Sequence, residues 1–455
     1  MKQTALLLAL SASLLLGACG GDSSLPVATG KASITAVNAI YGSPALNFLI
    51  EERSLAAVPY KGTMPAASYD DLDYAFSFEV LIAGDTEVTR IASQNIDFIA
   101  GQHYTLLASG TLAAPTLTLW EIAERTFVDT ETVFQARFAH TSDSMGAIDV
   151  YFGLDGVAPV LGEQVATLAF GEISAPLDFE TDEYAVTITT AGDDTDILYQ
   201  SSASRILERT DLIIAPFDGD ENDTSPIVVR ALNTGGGAAT FLDPNFPSTI
   251  EFLHGSYDLG SSDVYDDEAL TSQLLSDHTF RQLTPATDIA DGEYEFFYTP
   301  SDDTSVVSLQ STFIATNGAH FRIIATGTGG TYSTINMGLN RRSLSTAAKL
   351  NFLSTSSNFD FLSLYIVTAD GTIENTLPFQ AGIVSGQANA PYQMLPGSFD
   401  VYLTQFGDTE IIAGPFRIDV ALGDVLDMVV YDKLDGDTGF VDIEVLPVPG
   451  MAPPL

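Results

Sequence analysis

The sequence predicts an all-β chain built as tandem antiparallel β-sandwiches, and three observations carry that prediction. Short runs of alternating apolar and polar residues recur along its length, no long segment keeps a helical period, and one strand–turn–strand unit returns four times. The clearest copy is Arg137 to Phe152, RFAHTSDSMGAIDVYF, with relatives beginning at Ala36, Glu251 and Asn351. In each, a polar residue closes the first strand and another opens the second nine positions on: Asn38/Asn47, His140/Asp149, His254/Asp263 and Ser354/Ser363. The first members lie 102, 114 and 100 residues apart, the spacing of whole domains rather than of stacked solenoid units.

The elements follow in order within each repeat. In the opening strand, Ala36, Phe138, Phe252 and Phe352 precede the polar marker by two and share its face. The second strand reads LNFLI, IDVYF, SDVYD or LSLYI. A third, aromatic-rich strand runs into an acidic turn at Phe76–Asp85, Tyr184–Asp193, Tyr294–Asp303 and Phe399–Asp408, with Tyr184/Val186/Ile188 showing the period of two. The fourth follows a tight turn at GQHYTLLA, RTDLIIAP, GAHFRIIA and GDVLDMVV. Two packed antiparallel sheets per repeat accommodate these strands. The repeats are placed at 31–123, 133–231, 248–340 and 347–446, and a frayed tail at 447–455. The connecting stretches are Glu124–Thr132, the Gly/Pro-rich Leu232–Pro247, and Arg341–Ala347.

Charge and cysteine content narrow the partners. There are 17 basic against 60 acidic side chains, a net charge of −43, and such a field repels a phosphate backbone, so nucleic acid is excluded as a partner. Cys19 is the only cysteine, which rules out a disulfide framework or thiolate cluster. It closes Leu16-Gly17-Ala18-Cys19 after Lys2 and the apolar run Ala5–Leu16, a run too short to span a bilayer and the right length for a signal-peptide core. The ending resembles a bacterial lipobox. It implies a signal peptide over 1–18, lipid attachment at Cys19 and a flexible tether over 19–30. Gly20 after the cysteine, by resemblance to Gram-negative lipoproteins, implies outer-membrane sorting.

The recurring unit resembles a bacterial family of domains of unknown function, DUF4397, whose copies open with a strand ending in a His-Ala-Ser-Pro-like turn and continue into Val-Asp-Val-Tyr-Val. His140, Ser142, Asp149, Val150 and Tyr151 fit that pattern, as do His254, Ser256, Asp263, Val264 and Tyr265. Pro44 and Asn47 fit in the first copy; the fourth keeps Ser356 and Tyr365, with Ser354 and Ser363 in place of His and Asp. The resemblance extends over about residues 32 to 446 and implies exported, immunoglobulin-like sandwiches, often in tandem and lipid-anchored, with no assigned reaction.

Candidate chemistry is sparse. The marker pairs are expected to be structural clasps, with His140 bonding its loop to Asp149. His103 and His320 share a second repeat position, and His278 stands outside the pattern. No nucleophile elbow, H-E-x-x-H helix, P-loop or dinucleotide fingerprint is present. Two acidic stretches offer oxygen ligands for structural calcium: Asp218, Asp220 and Asn222 in one, Asp432, Asp435 and Asp437 in the other. The first is no EF-hand loop, with Asp223 at the place of the glycine and Val229 at that of the final glutamate. The expected function is that of a non-catalytic, lipid-anchored envelope protein, a spacer or an interaction and adhesion surface. Its partners are the membrane and an envelope protein or polysaccharide, and it faces the periplasm or the exterior. A module binding glycan or envelope polymer is the alternative, and a hydrolase using His278 with carboxylates comes last.

Overall fold

A computed structural model describes residues 27–82, 87–123, 125–316, 318–433 and 440–446. The expected signal peptide, Cys19, most of the tether, Asp435, Asp437 and the tail lie outside the described residues. Within them are thirty-five strands in eight sheets and no helix. No helix there is long and apolar enough to cross a membrane.

Each quarter of the chain supplies two sheets that face each other across a core. In sandwich 1 the outer sheet centres on Leu46–Ile50 and Asp73–Val80, and the inner sheet on Lys31–Asn38 and Gln102–Thr111. Alternate residues of both, among them Ile34, Ala36, Phe48, Phe78 and Leu106, are fully buried between them. The arrangement recurs around Phe138/Ile214 in sandwich 2, Phe252/Ile323 in sandwich 3 and Phe352/Met428 in sandwich 4. All four landmark strands expected in each repeat are present, forming tandem β-sandwiches.

Three features differ from the sequence expectation. First, the inner sheets are mixed. The two central strands run parallel, pairing Ile34 with Tyr104, Ala136 with Leu212, Phe252 with Ile323 and Phe352 with Met428. The outer sheet is built between them in sequence, so the chain returns to the inner sheet in its original direction.

Second, the sandwiches are joined in pairs. The outward face of inner sheet 1, with Val37, Leu107 and Trp120, packs on that of inner sheet 2, with Ala139, Ala215, Phe217 and Leu232. Leu253, Ile324 and Ile335 of sandwich 3 pack in the same way on Leu353, Val429, Tyr431 and Leu446 of sandwich 4. A sheet covered on both faces needs apolar residues in both phases, the reason TLLA, LIIA and RIIA lack clean alternation.

Third, Leu232–Pro247 is not simply a linker. Strands Ile227–Asn233 and Ala238–Phe241 form a hairpin across it, turning at Gly236 and Gly237, whose φ values of 105° and 91° favour glycine. Sandwich 2 therefore runs past residue 231 to Phe241, and only 242–247 separates it from the next opening strand.

Candidate functional site

Asn38, His254 and Ser354 end their opening strands and His140 lies two residues beyond Phe138, while Asn47, Asp149 and Asp263 are second and Ser363 third in the outer-sheet strands that follow. His140 and Asp149 do not bond each other. His140 donates Nε2–H to the Gly146 carbonyl at 2.7 Å and so closes its own loop. Asp149 accepts from Thr167 Oγ1 and, at 2.8 Å, from the Gly192 amide, fixing two neighbouring strands of the outer sheet. The third copy repeats the division: His254 donates to the Gly260 carbonyl at 2.7 Å, while Asp263 accepts the Asp277 amide at 2.9 Å. Asn38 donates to Ser43 Oγ and the Val58 carbonyl, Asn47 accepts from Ser54, and Ser354 meets Ser385 at 2.8 Å. Ser363 is buried on its strand. A nine-residue spacing identifies the positions but not which backbone carbonyl or amide stands opposite each.

The calcium candidates are already engaged by protein groups. Asp218 accepts from Ser142, from Ser144 at 2.5 Å and from the Asp143 amide; Asp432 holds the equivalent loop through Ser356 and Ser357. Beyond Asp218 the acidic turn ties three sandwiches and a connecting stretch together. Asp220 pairs with Lys61 at 3.1 Å and Arg342 at 3.2 Å, and Asp223 also pairs with Lys61. Asn222 Oδ1 accepts the Arg341 and Arg342 amides at 2.6 and 2.9 Å, and Glu221 accepts the Ser343 amide at 3.1 Å and the Tyr41 hydroxyl. Burial raises the carboxyl pKa of Asp223 against the lowering effect of Lys61. Lys61 and Arg342, supplied by other elements, thus stand beside the carboxylates of Asp220 and Asp223. Among the described residues no group of three or more His, Cys, Asp or Glu side chains could hold a metal; Asp435 and Asp437 lie outside them.

Between sandwiches 3 and 4 lies a buried charge cluster that the sequence reading missed. Arg322 meets Glu251 at 2.5 Å and Asp427 at 3.1 Å, and Arg341 meets the second oxygen of Glu251 at 2.8 Å. All four side chains are buried. Their signal was visible only as charged residues inside otherwise apolar strand runs. Asn351 donates to Asp427 at 2.6 Å, and Lys349, lowered to about 8 by burial, bonds Asn340. Charge paired this closely holds two sheets in one register.

The histidines bear on a hydrolytic reading. His103 lies 2.8 Å from Ser33 and 3.2 Å from Thr35, and His320 lies 2.6 Å from Thr249, the position equivalent to Ser33. The Ser33–His103 contact is buried in the joint between sandwiches 1 and 2. Burial, and then the nearby Arg137, lower His103 to about 4, which suits a packed neutral ring better than a general base. His278 is buried as well. It donates Nε2–H to the Gln282 carbonyl at 2.9 Å and faces His254 rather than a carboxylate.

Fold and polar sites together define a class: an all-β protein of paired sandwiches whose buried ion pairs lie mainly at the joints. Within it, residues 32–151 match the model of the family described as domain of unknown function DUF4397. The chain therefore carries a DUF4397-like domain. The match takes in sandwich 1 and the opening strands of sandwich 2, so it spans their joint. No curated protein matches the chain. The Bacillus anthracis TIE protein aligns with 89% of this chain and 69% of its own at 10% identity, with a TM-score of 0.15. CBMbc, a family CBM26 module of Eubacterium rectale Amy13K solved in complex with maltoheptaose, aligns with 41% of this chain and 91% of its own at 14% identity, with a TM-score of 0.14. Superpositions this loose bear on neither ligand nor role.

Proposed function

We propose that this chain is a non-catalytic, lipid-anchored protein of the Gram-negative outer membrane whose sandwiches form a stiff spacer that presents an interaction surface. The observation that carries the reading is the back-to-back packing of inner sheets, reinforced by the acidic turn at 218–223. Sandwiches strung on free linkers would bend at every joint, whereas apolar contact and ion pairs resist bending. The anchoring part rests on Leu16-Gly17-Ala18-Cys19. Two acyl chains on the cysteine would give a stable hold where a single chain is marginal.

Fractionation of expressing cells, with mass spectrometry of the N-terminal peptide, tests the anchor. An acylated Cys19 is expected in the outer-membrane fraction, and Cys19→Ser is expected to move the protein out of the membrane. An unmodified cysteine, or unchanged partitioning of the variant, would remove anchoring from the proposal. Small-angle scattering tests the spacer: one fixed envelope supports it, and a broad distribution of lengths excludes it.

A further inference from the structure

The two joints are built from equivalent positions, and strand register makes them comparable residue by residue. In sandwich 1, Thr35 pairs with Thr105 and Thr105 with Trp120; in sandwich 3, Glu251 pairs with Arg322 and Arg322 with Met337. Trp120 and Met337 are therefore counterparts. So are Ile213 and Asp427, each paired in parallel with an opening strand, at Arg137 and Asn351 respectively.

What fills the two places differs. The Trp120 indole is buried and donates Nε1–H to the Gly171 carbonyl at 2.9 Å, closing the space between inner sheet 1 and the turn before Ile173. The equivalent turn in sandwich 4 precedes Ala388, which bridges to Leu353 as Ile173 bridges to Ala139. Met337 packs against the apolar joint, and beside it a cleft of about 220 Å³ remains. Asn336, Asn340, Asn351 and Asn389 line it over a floor that includes Arg322 and Asp427. One joint is plugged by an indole; its counterpart is an open, mainly apolar cleft with four asparagines in its lining.

We propose that the cleft between sandwiches 3 and 4 is a binding site for a neutral polyhydroxylated ligand the size of one sugar residue. Asn336 donates to the Thr312 carbonyl, Asn351 to the Asn340 carbonyl and Asp427, and Asn389 to the Phe352 and Gln387 carbonyls, while Asn340 Oδ1 accepts from Lys349. What they leave for a ligand's hydroxyls is the Oδ1 of Asn336, Asn351 and Asn389 as acceptors and the Asn340 side-chain amide as a donor. Neutrality follows from the floor: the guanidiniums of Arg322 and Arg341 are matched by the carboxylates of Glu251 and Asp427, leaving no net charge for a ligand to offset. Size follows from the volume, which falls below the roughly 300–1,000 Å³ of pockets for drug-sized molecules and admits one ring, not a chain. Met337 and Phe352 add an apolar wall for the C–H face of such a ring. The site is independent of the anchored-spacer reading and would stand if that reading failed.

Isothermal calorimetry on the purified full chain tests it. The probes are the methyl glycosides of glucose, galactose, mannose and N-acetylglucosamine, and myo-inositol, with glucuronate and glucosamine as charged comparisons. At least one neutral probe is expected to bind with a millimolar or tighter Kd and to exceed both charged probes. Met337→Trp, which rebuilds the plug, and Asn389→Ala, at the cleft rim, are each expected to weaken it by about tenfold or more. Trp120→Met, in the other joint, should leave it unchanged. Circular dichroism checks each fold, and if Met337→Trp does not fold, Asn389→Ala decides. Absence of binding by every neutral probe, binding untouched in the folded variants, or charged probes binding as tightly would overturn the proposal.

Discussion

His254 and His278 face each other with ring centroids 5.4 Å apart, and each leaves a buried Nδ1 without a hydrogen-bond partner. Burial lowers both, His278 from 6.5 to about 4, and a charge on either ring would oppose a charge on the other. In the unfolded chain both rings protonate near 6.5, so the unfolded state binds more protons below that pH. The stability these rings contribute is intact above about 6.5 and is lost as pH falls toward 4. Melting temperatures measured from pH 7.5 to pH 4 should decline over that window, and His278→Gln should flatten the decline; an unaltered slope would show that the ring is not the titrating group. At Arg322 the expected effect is larger. Arg322→Met leaves Glu251 without its closest partner and Asp427 without its guanidinium, both buried, and should cost about 3–5 kcal/mol in urea unfolding at neutral pH. Adding Glu251→Gln should recover part of that loss. Little of this was legible beforehand. The sequence located His140 and His254 as recurring turn residues but not the carbonyls of Gly146 and Gly260 that they bond, because those contacts depend on the loop's path.

At the scale of the element, the strand signals held where the outward phase is small or polar, as with Ala185 and Thr187, and blurred where both phases are large and apolar. Tyr184–Ile188 lies in an outer sheet and could be read from its alternation. Gln102–Thr111 and Asp211–Asp218 lie in inner sheets, and one alternating phase is legible in their sequence, Tyr104/Leu106 and Leu212/Ile214, but not the role of the other. Their second phase carries Leu107, Ala215 and Phe217, the contact between sandwiches. Trp120 is the largest side chain in that contact. Trp120→Ala should cost about 3–5 kcal/mol in chemical unfolding, as expected for emptying a buried aromatic site. A cost under about 1 kcal/mol, the range of surface substitutions, would mean the joint contributes little to stability. The Gly-rich hairpin at 234–237 misled for a related reason: glycine is as much the residue of a tight strand reversal as of a linker.

For the whole molecule, the four repeats group as two pairs of like design. Asp218 and Asp432 end the fourth landmark strand of sandwiches 2 and 4, while the corresponding Gly110 and Gly327 of sandwiches 1 and 3 adopt positive φ. The acidic run at 218–223 looked like a local ligand set because its partners are remote: Lys61 lies 162 residues from Asp223, and Arg341 119 from Asn222. A single sequence reports composition well and distant pairing poorly. The smallest stable unit is accordingly the pair. A fragment ending at Phe241 should be soluble and melt cooperatively, whereas one ending at Ala123 exposes Val37, Leu107 and Trp120 and should aggregate. Equal behaviour of the two fragments, by light scattering and calorimetry, would show the sandwiches to be independent.

The parallel pairing inside each inner sheet also governs when a sandwich can form. Ser33 and His103, neighbours in the first sheet, are 70 residues apart in sequence, and Asn351 and Asp427 in the last are 76 apart. An opening strand emerging during synthesis has no central partner until nearly its whole repeat has followed. Contacts of that range slow folding and prolong the exposure of apolar strand edges. A heavily anionic chain repels its own copies during that interval, so the net charge of −43 can serve the still-unfolded protein as much as the folded one.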